Sequence, residues 1–295
     1  MPASLLARLL GAPARPPLPC PAWAPAAVQA AAAGMLAAAA LTWASLTFLT
    51  GPAPYGRHGR ADPAAAARYG RGLPARLAWA LQEAPAFLIP AVMALSASRR
   101  VGGPAALAAA LGPQRTARLA AFLAHYGHRS LIYPLRIRGG ARTPVGVAAL
   151  AFAFCTYNGA MQGAALVWCG GGAGRQEASP LAFRAGMAAW AAGAALNLAS
   201  DAALRRLRSR KGADGYYALP AGPLFAAVAC PNYTGEALEW AGWAAAAGWS
   251  VPATAFAVYT LANLGPRARA HAAFYAARFP GQGWEGRAGL VPWVY

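Results

Sequence analysis

Acidic side chains are scarce in this chain: eight Asp and Glu stand against 26 Lys and Arg among 295 residues, a formal net charge of +18. Charged residues of every kind make up only 12%, whereas 58% of the chain is hydrophobic. A soluble domain of this length carries more charge, of both signs, over its surface. An ordinary soluble globule is therefore excluded. Lysine is reduced to Lys211. Together with the abundance of Ala and Gly this reads as biased composition, so individual Ala positions carry little weight. The four cysteines, Cys20, Cys155, Cys169 and Cys230, form no CxxC pair. They carry no metal or redox signature and read as small apolar side chains. No GxGxxG follows a predicted strand, which excludes a Rossmann cofactor domain. There is also no internal repeat and no separate soluble domain.

Long apolar stretches are what the chain does have, and its charges cluster between them. The first, 28–49, contains no charge. At 1.5 Å per residue it reaches across a hydrocarbon core of about 30 Å. Further stretches lie at 77–97, 118–135, 145–169, 181–204, 222–249 and 251–275, the last two joined by a short link around Ser250. The reading is an all-α integral membrane protein, a bundle of seven transmembrane helices over 28–295. Residues 1–27 contain a short apolar run interrupted by Arg8. They read as an N-terminal tail, with a weak targeting segment as the alternative.

The basic charge sits in the joints. Residues 55–76 hold five basic residues, 135–144 three, 205–217 five, and the tail from 265 onward four. Alternation puts these joints and the C-terminus on the cytoplasmic side and the N-terminus on the other. Arg99, Arg100, Arg115 and Arg118 in the second joint run against that pattern. Polybasic joints beside spans need no polyanionic ligand, so a nucleic-acid partner is not implied.

Ionisable groups inside apolar stretches need a reason, because they are costly in a bilayer unless satisfied. Gln82 and Glu83 lie in the second stretch; Glu83 serves either as a hydrogen-bonded anchor of a kinked helix or as a proton donor or orienter. His125, Tyr126, His128 and Arg129 crowd into five residues of the third stretch. They lack the ligand count for a metal site. A phenol such as Tyr126 can donate to an oxygen that gains negative charge. Asn158 and Gln162 lie in the fourth stretch. Asn197, Asp201 and Arg205 recur every four residues on one helical face that leads to Arg208. Glu236 and Glu239 follow on the next helix, and Arg267, His271 and Tyr275 again repeat at four. These stripes form either internal salt bridges or the lining of one polar cavity. Arginines in such a cavity suit a phosphorylated cofactor.

The motifs PYGRH (54–58), LQEAP (81–85), HYGHRSLIYPLR (125–136), FCTYNGAMQG (154–163), NLASD (197–201), LRRLR (204–208) and CPNYTGEALEWAGWA (230–244), in this order, resemble the steroid 5-alpha-reductase family. The CPNY form is especially similar to its plant branch. The resemblance implies a seven-helix membrane fold enclosing a cofactor and lipid-substrate cavity, and NADPH-dependent reduction of the Δ4 double bond of a 3-oxo-steroid by hydride transfer to C5. It implies that Glu83 and Tyr126 hold the 3-keto oxygen and stabilise the enolate, with Gln82 supporting them. It assigns the cofactor to Asn197, Asp201, Arg205, Arg208, Asn232, Glu236, Arg267, His271 and Tyr275, with no metal. It further implies an endoplasmic reticulum membrane, or a plastid membrane if the N-terminal segment is a targeting peptide. The chain departs from the family at Ala199, where His is frequent, and in its ending FPGQGWEGRAGLVPWVY.

Two other readings stand beside this one. A sister reductase would act on another lipid enone or a trans-2-enoyl-CoA. A non-redox lipid or proton-coupled transporter would use Glu83 and Asp201 for coupling.

Overall fold

The computed structural model describes residues 20–51, 58, 62–137, 141–169, 177–210 and 219–291, with 208–210 described by backbone alone. Regular structure among them is helical apart from one short strand pair. The long helices are α1 (Ala24–Ala44), α2 (Ala75–Val101), α3 (Pro113–Gly127), α4 (Val145–Gly163), α5 (Pro180–Arg210), α6 (Pro231–Ala246) and α7 (Val251–Arg278). Short helices Pro63–Arg68, Pro104–Leu111, Tyr133–Arg136 and Pro223–Ala226 sit in the joints.

Local chemistry explains several of the boundaries. Proline occupies the first turn of many of these helices, where its missing N–H costs nothing. Helix α2 stops at Gly102, whose φ of 92° is a left-handed cap that glycine adopts without strain. The apolar stretch 222–249 breaks at Pro231, which keeps Cys230 out of the helical region and starts α6 anew. Helices α1, α3 and α4 run on into π-helical turns at Ser45–Leu49, His128–Ile132 and Ala164–Trp168.

Among the described residues, two helical segments are long and apolar enough to cross a membrane: Ala24–Leu49 with a hydropathy of 1.6 and Ala75–Val101 with 1.4. Helices occupy the other apolar stretches too, but α6 has only 16 residues, and Asn158 and Gln162 lower the hydropathy of α4. Large apolar side chains, among them Leu88, Val92, Phe152 and Leu181, face outward. That is the surface a lipid environment tolerates and water does not.

The helices pack chiefly as α5 on α6, α2 on α4 and α1 on α7. Glycine makes the first two contacts close. Gly186 and Gly193 of α5 face Gly242 and Gly235 of α6, and a Cβ at any of them would strike the backbone opposite. Gly159 and Gly163 of α4, a GxxxG pair, lie against Pro85, Ala86 and Pro90 of α2. Apolar burial gains little when the alternative is lipid, so close backbone approach and interhelical hydrogen bonds hold such a bundle.

A buried aromatic cluster, Phe122, Trp240, Trp243 and Phe256, joins α3, α6 and α7, with the Trp240 and Phe256 rings 4.4 Å apart. The strand pair β1 (Gly72–Leu73) and β2 (Thr143–Pro144) runs antiparallel and ties the joint before α2 to the joint before α4. Cys20 and Cys169, read from the sequence as small apolar side chains, bring their sulfurs to 3.4 Å. Arg115 also reads differently in the fold. It is buried and donates to the carbonyls of Leu166 and Val167 at the π-helical turn after α4. It is a helix-end partner and not a loop charge.

Candidate functional site

One cavity of about 660 Å³ gathers the polar residues singled out in the sequence. Its size falls in the range of small-molecule and cofactor pockets. Its lining comes from the C-terminal halves of α1, α3 and α5, the N-terminal halves of α2, α4 and α6, and most of α7. In an up-and-down bundle these are the same end, the end that carries the basic joints. Gln82, Glu83, Tyr126, Asn197, Asp201, Arg205, Asn232, Glu236, Arg267, His271 and Tyr275 all line it. Arg208 lies on α5, but its side chain falls outside the described residues.

The cofactor candidates on α5 and α6 are linked directly. Asn197 Nδ2 donates to the Asn232 carbonyl at 2.9 Å, and Asn232 Nδ2 donates to Asp201 Oδ1 at 3.3 Å. The glycine contact between these helices sets their register, so the packing builds this side of the cavity. On α7, His271 Nε2 lies 3.3 Å from the Tyr233 hydroxyl, and its Nδ1 lies 3.1 Å from Nε2 of His58. The Arg267 guanidinium sits 6.0 Å from the Tyr233 ring centre, within cation–π range. Arg205 lies over the Tyr133 ring at 5.7 Å, and its buried Nη1 has no hydrogen-bond partner among the described residues.

The second cluster lies where α2 meets α3. Arg129 Nη2 donates to Glu83 Oε1 at 2.9 Å, and its guanidinium is held over the rings of Trp79 and Tyr133 at 4.8 and 5.6 Å. The other Glu83 oxygen lies 4.0 Å from Cys155 Sγ. Glu83 is thus the acceptor of a partly buried ion pair at the cavity wall. Arg129 is placed by the π-helical turn that begins at His128, a device common at functional sites. Tyr126 is 4% exposed, and its phenol oxygen accepts from Asn158 Nδ2 at 3.2 Å. His125 meets the Tyr126 ring edge-on at 5.0 Å and pairs with the buried Glu239, Nδ1 to Oε1 at 2.7 Å. Glu239 thus leaves the cavity group that Glu236 joins.

The remaining lining divides by chemistry. Leu46 in the π-helical turn after α1, Leu150 and Phe154 on α4, and Phe256 and Tyr259 on α7 provide apolar wall. Sequence reasoning missed Trp79, Tyr133 and Tyr233 as lining. Tyr133 stands four residues after Arg129, the one signal that pointed to its place. Among the described residues no group of three or more His, Cys, Asp or Glu is placed to hold a metal ion.

Residues 141–295 match the profile of the family described as 3-oxo-5-alpha-steroid 4-dehydrogenase. The chain is 39% identical over 232 residues to 3-oxo-5-alpha-steroid 4-dehydrogenase 1 of Bos taurus, covering 77% of this chain and 82% of that protein. It is 36% identical over 263 residues to 3-oxo-5-alpha-steroid 4-dehydrogenase 2 of Sus scrofa, covering 89% and 96%. It is 34% identical over 258 residues to steroid 5-alpha-reductase DET2 of Gossypium hirsutum, covering 86% and 92%. The order of motifs along the sequence, the shared cavity and these matches agree: the chain belongs to the 3-oxo-5-alpha-steroid 4-dehydrogenase family, the steroid 5-alpha-reductases.

Proposed function

We propose that this protein is an NADPH-dependent reductase that saturates the Δ4 double bond of a 3-oxo-steroid, with Tyr126 as the donor to the 3-keto oxygen. The observation that carries the reading is the state of that phenol. Its oxygen accepts from Asn158, which leaves its own proton free to be donated inside the cavity. A buried donor aimed at an oxygen that becomes an enolate is worth more in the transition state than in the ground state. Glu83 assists by holding Arg129, so that a guanidinium stays beside the same region as the Tyr126 phenol.

The donor set fits a phosphorylated cofactor. Arg205 lacks an acceptor for its buried Nη1 among the described residues, and a phosphate oxygen is the acceptor that a guanidinium favours. Asn197, Asp201, Asn232, Glu236, Arg267, His271 and Tyr275 line the same end, and Arg208 continues the α5 face. Bound there, NADPH would supply the hydride for C5. Gln82 and the apolar wall would hold the steroid and exclude water, which strengthens the Tyr126 interaction as charge moves onto oxygen.

The apolar helices and the family membership make this a membrane protein. Our reading of the whole is one reductase domain over 28–295 with seven spans, the N-terminus opposite the cytosol and the cavity opening to the cytosolic side. The compartment we propose is the endoplasmic reticulum.

The test is anaerobic consumption of NADPH by the purified protein in detergent, with a 3-oxo-Δ4 steroid and a trans-2-enoyl-CoA offered in parallel and products identified by mass. A steroid two hydrogens heavier is expected. Reduction of the thioester alone would move the substrate to the sister class. Movement of a lipid without redox chemistry would make the protein a transporter.

A further inference from the structure

Behind Tyr126, away from the cavity, lie two amides that the proposed chemistry does not touch. Asn158 and Gln162, one turn apart on α4, are 0% and 1% exposed, and neither lines the cavity. Gln162 Nε2 donates to the carbonyl of Pro252 at 2.9 Å and to Asn158 Oδ1 at 3.3 Å. Asn158 Nδ2 then donates to the Tyr126 hydroxyl oxygen at 3.2 Å. Buried amides at the centre of a helix bundle are costly unless each polar atom is met, so this chain needs a reason to be there.

The chain also has a direction that does not depend on how the amides were oriented. The Pro252 carbonyl can only accept, so the Gln162 amide must present its NH₂ to it. That NH₂ carries a second proton, which requires an acceptor, so Asn158 must present its oxygen. Its NH₂ is then left for Tyr126. Turning Asn158 over would set two donors 3.3 Å apart, and turning both amides would set two acceptors face to face at Pro252. With a donor fixed behind it, the Tyr126 oxygen accepts there, and its proton has to point elsewhere.

We infer that Asn158 and Gln162 are positioning residues: the relay Pro252–Gln162–Asn158 fixes the direction of the Tyr126 hydroxyl so that its proton faces the substrate oxygen. The inference rests on the proposed role of Tyr126 as donor. It adds that donation is set by a one-way chain of hydrogen bonds anchored on the backbone of α7. Helix α7 also carries cofactor candidates, and the relay therefore connects the two halves of the site through the start of that helix.

The decisive variant is Asn158→Asp, nearly the same shape. Its carboxylate still accepts from Gln162 but also accepts from Tyr126, which reverses the last hydrogen bond and draws the phenol proton away from the cavity. Three readouts apply to the full chain in detergent: steady-state reduction of a 3-oxo-Δ4 steroid, the infrared carbonyl stretch of that steroid labelled with ¹³C at C3, and a double-mutant cycle with Tyr126→Phe.

For Asn158→Asp, kcat should fall about 100-fold with KM changed by less than about threefold. The carbonyl stretch should rise to the value found in Tyr126→Phe, since the hydrogen bond that lowers it is gone. The double variant should be no slower than Tyr126→Phe alone, because both changes remove the same donation. Losses that multiply, or an Asn158→Asp stretch equal to that of the unaltered protein, would overturn the relay while leaving the Tyr126 assignment intact. Full turnover in Tyr126→Phe would instead remove the donor assignment and the relay with it. Should Asn158→Asp fail to fold, Gln162→Glu carries the test. It cannot donate both to Pro252 and to Asn158, and the same non-additivity with Tyr126→Phe is expected of it.

Discussion

Gly193 and Gly235 meet backbone to backbone across α5 and α6: a Cβ placed on Gly235 would lie 2.5 Å from the amide nitrogen of Asn197 and 2.7 Å from the carbonyl oxygen of Gly193. The contact sets the register in which Asn197 reaches Asn232 and Asn232 reaches Asp201. Gly235→Ala must therefore push the helices apart at the cofactor side of the cavity. Overpacking of this kind costs about 1–3 kcal/mol. The expected outcome is a lower midpoint of thermal unfolding together with weaker NADPH binding by titration. An unchanged midpoint would show that the helices slide without strain.

Tyr126→Phe removes one hydroxyl from a buried ring whose packing on Phe122 and Trp240 stays the same. Loss of one donor to a developing oxyanion lowers kcat by about 10²–10³-fold. NADPH affinity should be retained, because the cofactor candidates lie on α5, α6 and α7. Turnover within about twofold of the unaltered protein would contradict the donor role.

Glu83→Gln keeps the shape at the Arg129 contact and removes the charge. The Arg129 guanidinium, enclosed by Trp79 and Tyr133, then has lost its ion-pair partner. Breaking a buried pair on one side costs on the order of 3 kcal/mol, somewhat less here because Gln still accepts the hydrogen bond. Both the unfolding midpoint and turnover should fall. A midpoint that rises instead would mean that the ion pair is replaceable by a neutral contact.

Arg205→Met keeps the apolar stem of the side chain and deletes the guanidinium whose Nη1 awaits an acceptor. The dissociation constant for NADPH should rise by about 10–100-fold, the worth of one or two charge-assisted hydrogen bonds. Titration followed by cofactor fluorescence measures it directly. Unaltered affinity would place the phosphates elsewhere in the cavity.

Much of the site was legible because helices repeat. Steps of four put Asn197, Asp201 and Arg205 on one face, and Arg267, His271 and Tyr275 on another, and both faces reach the cavity. The contacts between helices were not legible. The pairing of Glu83 with Arg129 and of His125 with Glu239, and the place of Asn158 behind Tyr126, depend on how helices register against one another. Glycines set that register, and in a chain with 33 of them a spacing of seven between Gly186 and Gly193 carries no distinctive signal. The stretch 222–249 reads as one helix in the sequence; that Pro231 starts a new one, which delivers Asn232 and Glu236 to the cavity, required the backbone.

Arg115 separates stability from catalysis. It is buried away from the cavity, and its guanidinium reaches the Leu166 and Val167 carbonyls where the π-helical turn leaves them without partners in the helix. Arg115→Lys keeps the charge but replaces a planar fork with a point donor that cannot serve both carbonyls in one geometry. An unmet buried carbonyl costs about 1–3 kcal/mol. The unfolding midpoint should therefore drop, while kcat and KM of the folded fraction stay unchanged, because neither α3 at this level nor the end of α4 touches the cavity. A loss of kcat at an unchanged midpoint would mean that this end of the bundle communicates with Tyr126 along α3, and the separation would be wrong.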